Sequence, residues 1–352
     1  MNNKRVVLIG PIFLGQVATN GGAIKNQYFL ERFREVFDEV IPLDRLPIRQ
    51  NPFHAISYSI KLLYYAIFYR NTKVVISQSI KEAYKDIRLF YHTRRNKNVY
   101  YWTVGGSLAE RIVELHHSLK YYESVEKIYV QGQSMIPKLN SLGLENVVWV
   151  PNSKKIPSLP QKTDNYSGSI KFVFVSRINP TKGIKEISEC AKILDENGYG
   201  KKYKIDFYGT IHPGYEIDFR RVLDSSVNME YKGFLNLKDS GAYEDLAKYD
   251  VMLFPTYWQG EGFPGAIIDA YIAGLPVIAT DWNMNKEVVL DGKTGVIVKP
   301  HDTESLLEAM TGFIEGKYDL KRMSINSQER AAQFDNRKVL SIENLRRIGF
   351  ID

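Results

Sequence analysis

Twelve short runs rich in Val and Ile alternate with amphipathic stretches along this chain, six before and six after a polar break, and that alternation constrains the fold more than any single residue does. A strand that is apolar on both faces must be covered on both, and segments of helical period between such strands supply the cover. The first block places strands at residues 5–10, 39–43, 73–77, 99–104, 127–131 and 147–151, with the most strongly patterned helices over 22–37 and 81–95. The second places strands at 171–176, 203–208, 227–231, 251–254, 277–280 and 296–298, with helices near 183–196, 239–248, 265–273 and 303–316. Between the blocks, residues 152–169 hold Pro157, Pro160, Gly168 and several Ser, Lys and Asp, the composition of an interdomain linker. The expectation is an α/β protein of two doubly wound parallel-sheet domains, over 1–151 and 170–325, facing a central cleft. Residues 326–352 read as a helical, polar tail that can pack back on the first domain.

A length of 352 residues lets each domain bury its own core. No run of eighteen apolar residues occurs, which excludes the helical integral-membrane class. The single cysteine, Cys190, excludes an internal disulfide framework and a thiolate zinc cluster, and its expected place is in helix packing. Lys4-Arg5 followed by apolar residues 6–10 and 12–14 imitates a secretory signal, but Gly10-Pro11 interrupts the run and cleavage would delete the first buried strand. A cytoplasmic location is therefore expected, at the inner face of the membrane if the basic face described next binds lipid.

The net charge of +7 is local: residues 53–100 carry nine Lys and Arg against Glu82 and Asp86, which is the whole excess. No helix-turn-helix, zinc-finger or RNP-like signature accompanies this basic face, so nucleic acid fits it less well than an anionic membrane surface or a phosphate-bearing substrate. Residues 53–70 (FHAISYSIKLLYYAIFYR) have two readings. Packed on the sheet they form a core helix; exposed, Tyr64, Tyr65, Phe68 and Tyr69 with Lys61 and Arg70 suit a membrane interface.

Ligands of open parallel sheets sit beyond the carboxyl ends of the strands, where helix N-termini offer free N–H groups to anions. The first strand is followed by Gly10 to Gly15 and then Asn20-Gly21-Gly22, which is neither a dinucleotide fingerprint nor a Walker A loop. The glycine pair allows close backbone approach to a phosphate, or is a plain turn. In Ser176-Arg177-Ile-Asn-Pro-Thr-Lys182-Gly183, Arg177 lies just past a strand end and Lys182 where a helix begins. A guanidinium fork and an ammonium at that place suit a diphosphate; the alternative is two solvated surface cations. Farther on, Glu261 lies in a glycine-rich surface loop, Pro264 is placed as the first helical residue, and Asp269 follows eight residues after Glu261. Two carboxylates then border one cleft, one for sugar hydroxyls and one for a ribose diol.

Taken together, Gly21-Gly22, the Arg177–Lys182 segment, Asp250 to Pro255, the Glu-x7-acid spacing of Glu261 and Asp269, and Ala273-Gly274-Leu-Pro276-Val resemble the retaining nucleotide-sugar glycosyltransferases of the GT-B type, family four. The resemblance is close over about 170–300 and implies two Rossmann-like domains, an acceptor-binding one followed by a nucleotide-sugar-binding one. It implies that Arg177 and Lys182 bind the donor diphosphate, that Glu261 contacts the donor sugar and that Asp269 holds the ribose. Backbone N–H groups of Gly22, Phe263, Gly265 and Ala266 would complete the phosphate cradle, with Gly21 also on the donor-binding side, while Pro264 has no N–H and only shapes it. Two departures stand out. The second acid is Asp269 where the family usually has Glu, and the run Trp102-Thr-Val-Gly105-Gly106 lacks the histidine the family often carries after its fourth strand, leaving Gly105 and Gly106 on the acceptor side. His116 and His117 read as helix-surface residues.

The family's retaining chemistry is described as front-face attack, in which the donor phosphate takes the acceptor proton while cations stabilise the leaving diphosphate. Neither a cofactor nor a metal is then expected. The implied activity is transfer of a sugar from a nucleotide-diphosphate sugar to a glycan or lipid-linked acceptor in surface polysaccharide or glycoconjugate synthesis. Two alternatives stay open: a nucleotide-sugar epimerase of the same architecture, and a catalytically silent glycan-binding subunit that assists a partner transferase.

Overall fold

In the computed structural model every one of the twelve apolar runs is a strand, and the strands form two wholly parallel sheets of six. The structure describes residues 5–16, 18, 20–45, 52–160, 168–239 and 241–351; Lys4 of the signal-like segment and residues 161–167 of the expected linker lie outside them. The chain divides into two units, residues 1–155 with 334–352, and residues 156–333.

The first unit orders its strands β2-β1-β3-β4-β5-β6, where β1 is Arg5–Gly10, β2 Glu39–Asp44, β3 Lys73–Ile76, β4 Val99–Trp102, β5 Lys127–Val130 and β6 Val147–Trp149. Its helices are α1 (Gly21–Val36), α2 (Pro52–Phe68), α3 (Ile80–Arg94), α4 (Leu108–Glu114), α5 (Leu119–Glu123) and α6 (Met135–Asn140). The side chain of Asn20 caps α1 by accepting from the N–H of Ala23 at 3.0 Å, so the Gly21-Gly22 pair opens a helix. At the end of β1 the backbone must pass Ser77: a Cβ on Gly10 would fall 2.1 Å from the Ser77 carbonyl oxygen. Only glycine fits there.

The second unit orders its strands β12-β11-β10-β7-β8-β9, where β7 is Ile170–Val175, β8 Tyr203–Tyr208, β9 Met229–Tyr231, β10 Val251–Phe254, β11 Val277–Thr280 and β12 Gly295–Val298. Around it lie α7 (Ile184–Glu196), α8 (Glu216–Leu223), α9 (Ala242–Leu246), α10 (Gly265–Ile272), α11 (Asn285–Val288), α12 (Thr303–Ile314) and α13 (Leu320–Ala331). Cys190 is buried within α7, and burial pushes its thiol up to about 12.

The tail splits between the units. α13 stays with the second, whereas α14 (Asn336–Val339) and α15 (Ile342–Arg347) belong to the first, where Leu340, Leu345, Ile348, Phe350 and Ile351 complete its core. Phe350 is fully buried, its ring centroid 4.8 Å from Tyr100 and 5.7 Å from Phe33. One such side chain contributes about 1.5–3 kcal/mol of burial. Part of the expected linker is strapped to the tail, since Lys154 donates its N–H to Phe334 O (2.9 Å) and accepts from Asn336 N–H (2.8 Å).

The helix over residues 52–68 packs on the first unit by one face and leaves the other exposed. Tyr58, Leu62 and Ala66, four residues apart, face inward, and Arg45 ties Tyr58 to the body through its hydroxyl at 3.0 Å. Phe53, Ile56, Ile60, Leu63, Ile67 and Phe68 are exposed, Phe53 by 76% and Phe68 by 70%, on the opposite face. Arg94 does not belong to the basic face in which the sequence counts it. It is buried at the end of α3, where it donates to the carbonyls of Tyr69 (2.8 Å) and Thr72 (3.0 Å), while Arg88, Arg95 and Lys97 remain exposed. His117 is also displaced from its expected helix surface: it follows α4, stacks on Tyr84 with centroids 3.7 Å apart and shares a 2.9 Å hydrogen bond with the Tyr122 hydroxyl. Among the described residues no helix is long and apolar enough to cross a membrane.

Candidate functional site

The chemistry-bearing residues of the second unit gather beyond the carboxyl ends of its two central, adjacent strands, β7 and β10. After β7, Asn179 accepts from Thr181 N–H (3.0 Å) and so caps a short turn over Pro180–Lys182. The next residue, Gly183, has φ +75°, and a Cβ there would lie 2.3 Å from the carbonyl oxygen of Pro255 at the end of β10. Glycine thus lets the two loops touch. Tyr257 fastens them further, its N–H donating to Thr181 O (3.0 Å) and its hydroxyl to Pro180 O (2.8 Å).

This closure turns Lys182 inward. The residue is 4% exposed, which excludes the reading of it as a solvated surface cation. Its ammonium pairs with the Glu261 carboxylate, which also accepts from Thr256 Oγ1 at 3.2 Å. Glu261 is correspondingly 12% exposed, less than the sequence implies for a surface loop. The Glu261 loop is held from the segment after β11, where Trp282 Nε1 donates to Trp258 O (2.8 Å) and Asn283 Nδ2 to Glu261 O (2.9 Å). Arg177 remains exposed, with its Cζ 5.5 Å from the Trp258 ring centroid, while Lys182 Nζ lies 5.0 Å from the same ring. Arg177, Lys182 and Glu261 are therefore one group. A guanidinium and an ammonium beside a carboxylate can hold an anionic diphosphate and a neighbouring hydroxyl together.

Asp269 is placed differently. It is the fifth residue of α10, 5% exposed, and accepts from the Tyr243 hydroxyl at 2.7 Å. Pro264 is the residue before the helix, not its first: its ψ of 106° is extended, so the helix begins at Gly265. Gly265 and Ala266 then occupy the first turn, whose N–H groups have no carbonyl one turn earlier to bind. Phe263 is 5% exposed and lines the same loop from within.

In the first unit, the position of a Cβ on Gly22 lies 3.0 Å from Val104 Cγ1, and Gly105 follows with φ +94°. Lys25, on the same helix as Gly21 and Gly22, reaches the same turn: its Nζ donates to Thr103 O at 2.7 Å. It is 5% exposed, and burial pushes its ammonium down to about 7. Sequence reasoning passed over Lys25, Tyr243 and Trp258. For Lys25 a signal existed, because it precedes Phe29 and Phe33 by four and eight residues on the buried stripe of α1.

Residues 155–330, half of the chain, match the family described as Glycosyl transferases group 1. The chain is 25% identical over 264 residues to the putative colanic acid biosynthesis glycosyltransferase WcaL of Salmonella typhimurium, over 67% of this chain and 60% of that one. It is 25% identical over 251 residues to the UDP-Gal:alpha-D-GlcNAc-diphosphoundecaprenol alpha-1,3-galactosyltransferase of Escherichia coli, over 68% and 61% of the two chains. The chain spans between 40% and 60% of the length of the first curated relatives it matches. Its fold is similar to that of Anabaena Alr3699/HepE in complex with UDP-glucose, with a TM-score of 0.68, 15% identity and 98% of each chain covered.

Proposed function

The chain belongs to the group 1 glycosyl transferases and has the GT-B architecture of two parallel-sheet α/β domains, and from that premise we propose that it moves a sugar from a nucleotide-diphosphate sugar to a glycan or lipid-linked acceptor, with anomeric configuration retained, in surface polysaccharide or glycoconjugate synthesis. The observation that carries this reading is the convergence of Arg177, Lys182 and Glu261 on one strand-end site. Arg177 and Lys182 offset the charge that grows on the diphosphate as the glycosidic bond breaks, which is where preorganised cations act most strongly. Glu261 accepts from a donor-sugar hydroxyl. Asp269, with the Tyr243 hydroxyl on one oxygen, meets the ribose, and the first-turn N–H groups of α10 meet phosphate oxygens. The acceptor hydroxyl attacks from the side the diphosphate leaves, and its proton passes to the departing phosphate oxygen. Gly105 and Gly106 border the acceptor.

Because two side-chain cations supply the charge a divalent ion would otherwise supply, the reaction is metal-independent. Incubation with UDP, GDP and ADP sugars is expected to raise the melting temperature with one base, and a ligand at 100 times its dissociation constant stabilises by about 2.7 kcal/mol. Transfer from that donor to a glycan or lipid-linked acceptor survives excess EDTA. Loss of transfer on chelation, restored by Mn²⁺ or Mg²⁺, contradicts metal independence; conversion of the donor without acceptor into an isomeric nucleotide sugar contradicts transfer and indicates epimerisation.

We also propose that the first unit meets an anionic membrane at the cytoplasmic face through the outer side of α2 and exposed cations of the same unit. Phe53, Ile56, Ile60, Leu63, Ile67 and Phe68 form an exposed apolar stripe with the amphipathic spacing of an interfacial helix, and Arg88, Arg95 and Lys97 are exposed on and beside α3. Each basic residue near an anionic surface contributes about 1 kcal/mol. Co-sedimentation with anionic but not neutral vesicles is expected, reduced by Arg88→Ser, Arg95→Ser and Lys97→Ser together, with transfer to a soluble acceptor unchanged. Equal recovery from both vesicle types, or none from either, removes the membrane from this reading.

A further inference from the structure

Arg177 and Lys182 carry the same charge and face the same aromatic ring. Lys182 has Glu261 as a counterion, whereas among the described residues no carboxylate lies within ion-pair distance of Arg177. An exposed guanidinium without a partner samples many rotamers, and binding a ligand would have to order it. What Arg177 meets instead is the indole of Trp258, whose ring lies within about 6 Å of both cationic centres, the range over which a cation is drawn to an aromatic face.

The backbone turn that carries the indole is fixed. Trp258 N–H donates to Thr256 Oγ1 (3.3 Å), and its carbonyl accepts from Glu261 N–H (3.0 Å) and Trp282 Nε1 (2.8 Å). Gly260 leaves the space the ring needs, since a Cβ there would fall 2.6 Å from the indole Cζ2. The same short turn therefore sets the carboxylate of Glu261 and the ring beneath the two cations.

We infer that Trp258 is a positioning residue for a diphosphate ligand: its indole face holds Arg177 and Lys182 together against their mutual repulsion, aimed at one anion. This rests on the reading of the site as a nucleotide-diphosphate site and deepens it. When the diphosphate arrives, Lys182 exchanges Glu261 for phosphate oxygens, and the indole keeps both cations in place during the exchange. Glu261 is then released toward a donor-sugar hydroxyl. Binding costs one change of partner, not the ordering of two long side chains.

The test compares Trp258→Leu, which keeps bulk and removes the π face, with Trp258→Phe, which keeps a smaller face. Dissociation constants are measured for UDP, GDP and ADP and for the corresponding nucleosides, and kcat and KM for the nucleotide sugar the wild type uses. Trp258→Leu is expected to weaken the bound diphosphate about 5–30-fold and to lower kcat, with nucleoside affinity unchanged, and Trp258→Phe to recover most of both. Should the leucine variant fail to fold, Trp258→Met supplies the same comparison. Unchanged diphosphate affinity in a folded variant overturns the inference, as does equal weakening of nucleoside and diphosphate, or a Phe variant as poor as Leu; in those cases the diphosphate site itself stands. Binding of none of the three diphosphates to the wild type defeats the site reading, and this inference with it.

Discussion

Lys182→Ala is expected to lower turnover by about 10²–10³-fold, the loss that follows removal of one preorganised donor from a developing anion. Arg177→Ala is expected to fall in the same range. In both variants the affinity for the free nucleoside stays near the wild-type value, because the charge the cations serve grows on the leaving diphosphate and not on the base or ribose. Stability separates the two. Arg177 is exposed and held only over an aromatic ring, so its loss changes stability by less than about 0.5 kcal/mol. Lys182 is buried against Glu261, and its loss leaves a largely enclosed carboxylate without its counterion. Single-turnover kinetics with the accepted nucleotide sugar, read beside thermal melts, check both statements. Wild-type turnover in either variant removes that residue from the site.

The second large effect is that of Glu261→Gln. Transfer is expected to fall by about 10²-fold or more, since an amide cannot replace a carboxylate as an acceptor-only partner for a sugar hydroxyl. Sequence position alone suggests a surface-loop carboxylate with little role in stability. Its pairing with Lys182 reverses that expectation. Breaking a buried pair from one side leaves the other charge uncompensated and costs about 3–5 kcal/mol when both are fully enclosed; with Glu261 12% exposed, about 2–3 kcal/mol is the appropriate scale. For a unit of this size that lowers the melting temperature by about 5–10 °C. The double variant Lys182→Met with Glu261→Gln removes both charges, so it should regain most of the lost stability and none of the transfer. An unchanged melting temperature in Glu261→Gln would show that the pair does not form in solution.

These two outcomes also mark how far the sequence could be read. The strands β1, β3, β4, β5, β10 and β11 were legible because a strand buried on both faces must be apolar throughout, and that requirement is written into consecutive residues. Arg177, Lys182, Glu261 and Asp269 were legible as candidates because strand ends and helix starts leave local marks: Ser-Arg after β7, Lys-Gly before α7, Pro before α10. Whether a cation at such a place is solvated or enclosed is not local. Lys182 and Glu261 are 79 residues apart, and they meet because Gly183 lets one loop lie against the backbone of another.

The same distinction explains the remaining differences. The sequence by itself determined the α/β class, the parallel sheets, the position of the polar break and the residue types available for binding an anion. Tertiary structure decided what each amphipathic face meets. It placed the tail from Phe334 in the first unit, where Phe350 completes an aromatic core. It withdrew Arg94 from the basic face to bind two backbone carbonyls, and buried Lys25 against Thr103. It also left one side of α2 apolar and exposed. Helical and strand periods are short-range properties fixed by backbone geometry, so they can be read from neighbouring residues. Burial, ion pairing and cation–π contact depend on which distant segment arrives opposite, and only the assembled sheets and loops determine that.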